Sequence, residues 1–91
     1  MDPISALRDR ITLMDADRAI AVITDFIAAN PDSADAYVMR GLKHFGRGAR
    51  ALAINDFLKA LEIQPDSIAA RTALDSANSI LDFYNKDLFN P

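Results

Sequence analysis

The sequence has no cysteine and no tryptophan, and only one histidine and three glycines among its 91 residues. Without cysteine the chain can form no disulfide, no thiolate zinc site and no thiol nucleophile, and a reducing compartment is permitted. It also lacks any run approaching the roughly 20 apolar residues that a membrane-spanning helix needs. Charges at Asp2, Arg8 and Asp9 interrupt the first residues, so we expect no signal peptide.

Positive charge is scarce too. Ten lysines and arginines stand against 13 acidic residues, which gives a net charge of −3 and a pI near 4.8. Affinity for nucleic acid depends on cations that neutralise phosphates, so we expect no nucleic-acid ligand. A chain of this length forms one domain and buries roughly 60–65% of its unfolded surface. We expect a soluble, cytoplasmic protein that does not bind membranes.

A repeat of 34 residues runs through the chain. The segments NPDSADA (30–36) and QPDSIAA (64–70) share Pro-Asp-Ser and the last alanine, and Pro31 and Pro65 lie 34 positions apart. An Ala-Ile dipeptide recurs at the same interval upstream of each segment. Apolar residues follow i, i+3 and i+4 spacing, which predicts helices, and no segment alternates with the period of two that a strand requires.

This period resembles that of the tetratricopeptide repeat (TPR), whose pattern is W-x2-L-G-x2-Y, then A-x3-F, then P. Residues 34–67 fit the pattern with two departures, because Arg40 replaces the leucine and His44 replaces the tyrosine. Residues 1–33 fit only in their second half, and residues 68–91 are interpreted as a capping helix and tail. The residues within 34–67 that match are Tyr37, Gly41, Ala53, Phe57 and Pro65.

The resemblance and the helix signals predict the same fold class. It is all-α, with two antiparallel helix pairs and a C-terminal capping helix in a short right-handed superhelix. Proline and short polar capping residues divide the chain into its helices. We expect a single domain with helices at about residues 3–13, 16–29, 33–45, 49–63 and 68–84.

The stretch GLKHFGRG (41–48) is close to the phosphate-binding loop G-x-x-x-x-G-K-[ST], but its context differs. That loop follows a strand, whereas a predicted helix precedes Gly46, and Arg47 and Gly48 replace the lysine and the hydroxyl residue. The TPR interpretation explains Gly41 by a close approach of two helices. It places Gly46 and Gly48 in a turn where positive φ favours glycine. We therefore expect no nucleotide site.

No set of nucleophile, base and orienting residue is visible, so we expect no catalytic activity. His44 has Arg40, Lys43 and Arg47 as neighbours along the helix, and these cations oppose a metal ion. The favoured role of His44 is a partly buried side chain at the tyrosine position of the repeat. We expect no metal and no cofactor.

Four cations form a candidate patch for an acidic partner. Arg40, Lys43 and Arg47 share one helix face through their i, i+3, i+7 spacing, and Arg50 follows the turn. The alternative is a solvated face whose positive charges favour the C-terminal end of a helix.

The TPR resemblance implies a candidate binding groove, since the first helix of each repeat lines a concave surface that takes a peptide or helix. Chaperone-binding members of the family hold a C-terminal carboxylate in a clamp of Lys, Asn and Arg, whereas Val38 and Leu42 occupy the middle helix here. We therefore expect no clamp, and an apolar floor suited to an amphipathic helix. The alternative is that Val38 and Leu42 are core residues. The groove positions implied are Ile4, Arg8, Ile11, Asp35, Val38, Leu42, Phe45, Ala69, Thr72 and Ser76.

The sequence leaves two functions open. One is a protein–protein interaction module, an adaptor that binds a peptide or helix of another protein. The other is a self-associating structural protein, a homodimer, because repeat stacks usually need about three units and this chain has two and a cap. Leu88 and Phe89, expected beyond the last helix, would pack either on this chain or on a second copy. The sequence names no partner.

Overall fold

The computed structural model describes the backbone of residues 2–89 and the side chains of residues 2–79. Residues 2–89 form helices and turns without a strand, so the expected all-α fold is confirmed. None of the helices in this part of the chain combines the length and hydropathy needed to cross a bilayer. The five helices are α1 (Pro3–Ile11), α2 (Ala16–Ala29), α3 (Ala34–Gly46), α4 (Arg50–Ile63) and α5 (Ile68–Phe89).

Short polar side chains begin most of these helices, as the sequence predicts. The Asp2 carboxylate accepts hydrogen bonds from the backbone N–H groups of Ile4 and Ser5, at 2.9 and 3.0 Å. The Ser33 hydroxyl accepts from the Ala36 N–H at 3.3 Å, and the serine 34 residues later forms the equivalent cap on α5 at 3.1 Å. The same cap at the same interval sets the start of each repeated unit.

Helix α1 ends at Ile11, two residues earlier than expected. The Met14 N–H donates to the Ile11 carbonyl at 3.0 Å, and this i to i+3 bond tightens the last turn. The Thr12 hydroxyl donates to the Arg8 carbonyl at 2.7 Å. Leu13 is therefore placed in the turn, where it is 97% exposed.

Helix α5 runs to Phe89, beyond the expected end near residue 84. No proline or glycine lies between residues 68 and 89, so the residues that most strongly oppose a helix are missing there. The prediction that Leu88 and Phe89 lie beyond the helix is wrong. The question of what these two side chains pack against falls outside the described side chains.

Three clusters of buried side chains join the helices. The first joins α1 and α2 to α3 and includes Leu7, Ile23 and Met39. In the second, Val38 and three alanines join α3, α4 and α5. The third joins α4 to α5 around Phe57, which is fully buried. Because many of the buried residues are alanines, the helices approach closely.

Gly41 lies where α3 and α4 approach each other. A Cβ atom there would overlap the Phe57 ring, with 2.8 Å to Cδ1, and would lie 3.1 Å from the Cβ of Asp56. The expected close approach at Gly41 is confirmed. Gly48 has a φ of 79°, as expected for the turn. The expectation of positive φ at Gly46 is wrong, because Gly46 is the last residue of α3.

Candidate partner-binding groove

Helices α1, α3 and α5 lie side by side, and two cavities open between them. We call these the α1–α3 cavity and the α3–α5 cavity, and together they form the groove. Eight of the ten groove positions implied by the sequence line one cavity or the other. The structure therefore brings most of the predicted residues onto one surface.

The α3–α5 cavity is apolar and has a volume of about 450 Å³. Val38 forms its floor, since this side chain is buried in the second core cluster. Phe45 is partly buried against the third cluster and forms a wall. Within residues 2–79 no charged side chain contributes to the lining, which includes Val38, Leu42, Phe45, Ala69, Thr72, Ala73 and Ser76.

The α1–α3 cavity has a volume of about 350 Å³ and a mixed lining. Ile11 and Met39 are buried and form an apolar floor. Arg8 is exposed and Lys43 partly buried, and both line the cavity. The remaining lining residues are Thr12 and Leu42. This half of the groove therefore has an apolar floor and two cationic side chains in the rest of its lining.

Among the described side chains, Leu42 is the one that lines both cavities. It is 51% exposed, whereas Val38, one helical turn earlier on α3, is 6% exposed. Val38 is therefore buried as a core residue would be, and Leu42 is not, although both line the α3–α5 cavity. Leu42 therefore lies half exposed on α3 between the two cavities.

Two of the implied groove positions lie elsewhere. Ile4 packs against the first core cluster, and Asp35 is exposed near the start of α3, so neither lines these cavities. Sequence reasoning missed Thr12, Met39 and Ala73 as lining residues, and it placed Lys43 in the acidic-partner patch but not in the groove. Met39 and Lys43 are four residues apart on α3, and Arg8 and Thr12 are four apart on α1. That i, i+4 spacing is the signal that could have shown the two facing edges of the α1–α3 cavity.

Arg40, one of the four patch cations, is paired inside the molecule. Its Nε and Nη2 atoms donate to the Asp56 carboxylate at 2.9 and 2.8 Å. Nη1 also donates to the Thr24 hydroxyl at 3.3 Å, and the guanidinium lies 5.4 Å from the centre of the Tyr37 ring. The hydrogen bonds to Asp56 raise the pKa of Arg40 above its ordinary value. Arg40 therefore holds α3 to α4 rather than facing a partner.

The other patch cations differ from one another in their surroundings. Arg47 Nη1 lies 2.8 Å from Asp17 Oδ1, in an ion pair between exposed side chains. Lys43 lines the α1–α3 cavity, and neither it nor Arg50 forms an ion pair with another described side chain. The acidic-partner patch stays a prediction, with two of its four members already paired to carboxylates of this chain.

His44 is partly buried at the tyrosine position of the repeat, as expected. Its Nε2 atom lies 3.9 Å from Asp56 Oδ2, and its Nδ1 atom is buried without a hydrogen-bond partner among the described residues. Over the same described side chains, no three histidine, aspartate or glutamate groups cluster closely enough to hold a metal ion.

Comparison with known proteins gives one informative likeness. The chain is 34% identical, over 77 residues, to the DnaJ homolog subfamily C member 7 homolog of Schizosaccharomyces pombe, a TPR-containing protein. The match covers 82% of this chain but only 16% of that protein. No family model matches the chain. No solved structure matches it either.

This likeness agrees with the fold. A relative that contains TPR repeats, together with helix pairs that repeat every 34 residues, supports a TPR-like helical domain. Because the chain spans a small part of the relative's length, the similarity concerns a segment of that protein and not its whole activity.

Proposed function

We propose that this chain is a non-catalytic protein–protein interaction module, which binds an amphipathic helix or apolar peptide of another protein across α1, α3 and α5. The observation that carries the proposal is Leu42, half exposed between the α1–α3 and α3–α5 cavities. The likeness to a TPR-containing protein supports a protein as the ligand.

Burial of apolar surface would provide the main binding free energy. Apolar surface removed from water contributes about 25 cal/mol per Å². The described residues that line the α3–α5 cavity are uncharged, so a large apolar side chain can enter it without leaving one of their side chains as an unpaired buried charge. The part of the chain that the structure describes offers no strand edge. Recognition would therefore depend on side-chain packing, as in the binding of a helix in a groove.

The test compares two leucines of nearly equal exposure. Leu42 is 51% exposed in the groove, and Leu52 is 52% exposed on α4, outside both cavities. Leu42→Asp and Leu52→Asp make the same chemical change on a helix surface, so their effects on folding should be similar. Circular dichroism would establish that both variants keep wild-type helicity.

The readout is capture of partners from cell extract, followed by titration of each captured protein against the purified chain. A partner bound by wild type and by Leu52→Asp, but at least about tenfold more weakly by Leu42→Asp, supports the groove. Equal binding by all three would place the contact elsewhere on the molecule.

Self-association is a second candidate function, favoured by two exposed apolar side chains. Leu13 is 97% exposed in the turn after α1, and Ile68 is 82% exposed at the start of α5. Contact with a second copy would remove such side chains from water. A homodimer could also cover the apolar α3–α5 cavity, which a short repeat stack leaves open.

A further inference from the structure

The two cavities of the groove differ in charge. Arg8 and Lys43 both line the α1–α3 cavity, and no carboxylate among the described side chains lines it. Neither cation takes part in an ion pair with another described side chain. The described side chains that line the α3–α5 cavity carry no charge of either sign. Although the chain has a net charge of −3, one half of its groove is therefore positive.

We infer that the occupant of the groove is an amphipathic helix with an acidic side chain, whose apolar face fills the α3–α5 cavity and whose carboxylate lies between Arg8 and Lys43. This inference rests on the proposed function and adds the chemistry of the ligand and the place of its charge. The basis is charge complementarity, since a cationic cavity favours an anionic group and disfavours a cationic one.

The spacing within the ligand follows from helix geometry. Packed helices lie about 8–10 Å apart, so cavities on the two sides of α3 are separated by about the same distance. A helix rises 1.5 Å per residue, so residues i and i+7 lie about 10 Å apart on nearly the same face. The ligand should therefore carry apolar anchors at i and i+3 or i+4, with Asp or Glu seven residues from the first anchor.

The burial of Lys43 determines how large the effect should be. Its side chain is partly buried beside Met39 and Leu42, so a carboxylate there is screened less than on an open surface. An exposed ion pair changes an affinity by about twofold to fivefold, and two cations should together favour carboxylate over amide by roughly three- to tenfold.

The negative group of this ligand is a side-chain carboxylate and not the carboxylate of its C-terminus. A helix that crosses α1, α3 and α5 passes over the α1–α3 cavity and continues, so the negative group is internal to the ligand. A peptide with an amidated C-terminus should therefore bind as well as the same peptide with a free carboxylate.

The experiment is a selection of helical peptides randomised along one face and displayed on phage, using the full chain as bait. Peptides are selected on wild type and on Arg8→Glu/Lys43→Glu. Peptides that also bind the Leu42→Asp variant are removed before each selection. The control bait is Arg10→Glu/Arg18→Glu, which makes the same change in net charge at exposed positions outside both cavities. Selected peptides are then synthesised with amidated C-termini and titrated by fluorescence anisotropy.

We expect wild type and the control bait to enrich Asp or Glu seven residues from an apolar anchor. The Arg8→Glu/Lys43→Glu bait should enrich Lys or Arg at that same position. In titrations, Glu→Gln in the selected peptide should weaken binding to wild type roughly three- to tenfold and leave binding to Arg8→Glu/Lys43→Glu unchanged or tighter.

Two contrary results separate the inference from the proposed function. The first is a set of peptides whose binding depends on Leu42 but which show no charge preference, or the same preference on wild type and on Arg8→Glu/Lys43→Glu. That result would overturn the acidic-helix ligand and leave the proposed groove intact. Failure to enrich any peptide over the Leu42→Asp bait would overturn the proposed function itself.

Discussion

Arg40 and Asp56 are joined by two hydrogen bonds from α3 to α4, at 2.9 Å from Nε to Oδ2 and 2.8 Å from Nη2 to Oδ1. Asp56 is buried with 6% of its surface exposed, and the Arg40 side chain closes over it. Such a pair contributes little net stability when intact, but it is costly to break, because one charge is then buried alone.

Replacing Arg40 alone should therefore be strongly destabilising. We expect Arg40→Met to lower the free energy of unfolding by about 3 kcal/mol, since Asp56 loses both bonds from the guanidinium. Urea denaturation followed by circular dichroism measures this loss. A loss below about 1 kcal/mol would mean that water solvates Asp56 in the variant.

The double variant Arg40→Met/Asp56→Leu is the control for that measurement. Removing both charges leaves no buried carboxylate without its guanidinium, so the double variant should be more stable than Arg40→Met by about 1 kcal/mol or more. A double variant as unstable as the single one would show that packing, and not the unpaired carboxylate, causes the loss.

Two glycines on α3 should respond oppositely to alanine. Gly41→Ala places a methyl group into the Phe57 ring and should destabilise the chain by about 1–3 kcal/mol through overpacking. Gly46→Ala meets no atom within 4 Å at a position without positive φ, so it should stabilise α3 by roughly 0.5–1 kcal/mol. Urea denaturation compares both with wild type, and a neutral Gly41→Ala would contradict the close approach at Phe57.

The cap at Asp2 predicts a local pH dependence. Hydrogen bonds from the Ser5 backbone N–H and hydroxyl lower the pKa of Asp2 below its ordinary value of 3.8. The contribution of the cap is therefore complete above pH 3.8 and is lost as the pH falls through the lower folded-state pKa. NMR titration of the Ile4 and Ser5 amides should show a midpoint below 3.8 in the wild type.

Asp2→Asn is the matched control for the cap. Asparagine also caps helices but does not titrate, so this step should vanish from the two amides while α1 stays formed. A wild-type midpoint at or above 3.8 would contradict the capping geometry.

The proposed function and the alternative predict different masses in solution. If another protein fills the groove, the purified chain should sediment as a monomer at micromolar concentration. If a second copy covers the α3–α5 cavity, sedimentation velocity should show a dimer, and Phe45→Asp should convert it to monomer by placing a charge in the cavity wall. A dimer that Phe45→Asp leaves unchanged would place the self-contact outside this cavity.

The sequence predicted the elements that have local signals. Ser33 and the proline after Asn30 mark the boundary between α2 and α3, because capping and the geometry before proline are set by neighbours in the chain. No proline or glycine predicts an end of α5 near residue 84, and the helix continues past the predicted end. Leu42 and Phe45 were placed in the groove from their register in the repeat, and the structure places both there.

The pairing of Arg40 with Asp56 was missed, because it joins residues 16 apart on two helices. A signal was present, since Arg40 stands at an apolar position of the repeat, and a charge there needs a partner. Asp56 is next to Phe57 on the buried side of α4, but the face it presents depends on how α3 and α4 are packed. That relationship is tertiary, so periodicity within one helix does not show it.

The contact of Gly41 with Phe57 has a counterpart 34 residues earlier, at Leu7 and Ile23, which both belong to the first core cluster. The first repeat has two medium, buried side chains at these positions, and the second has a single ring with no side chain opposite. In each repeat, the residue on the first helix and the residue on the second helix therefore share the space between the helices, and that space can be divided between them in different ways. Substitutions there should be tolerated in compensating pairs, with a gain in size on one helix matched by a loss on the other.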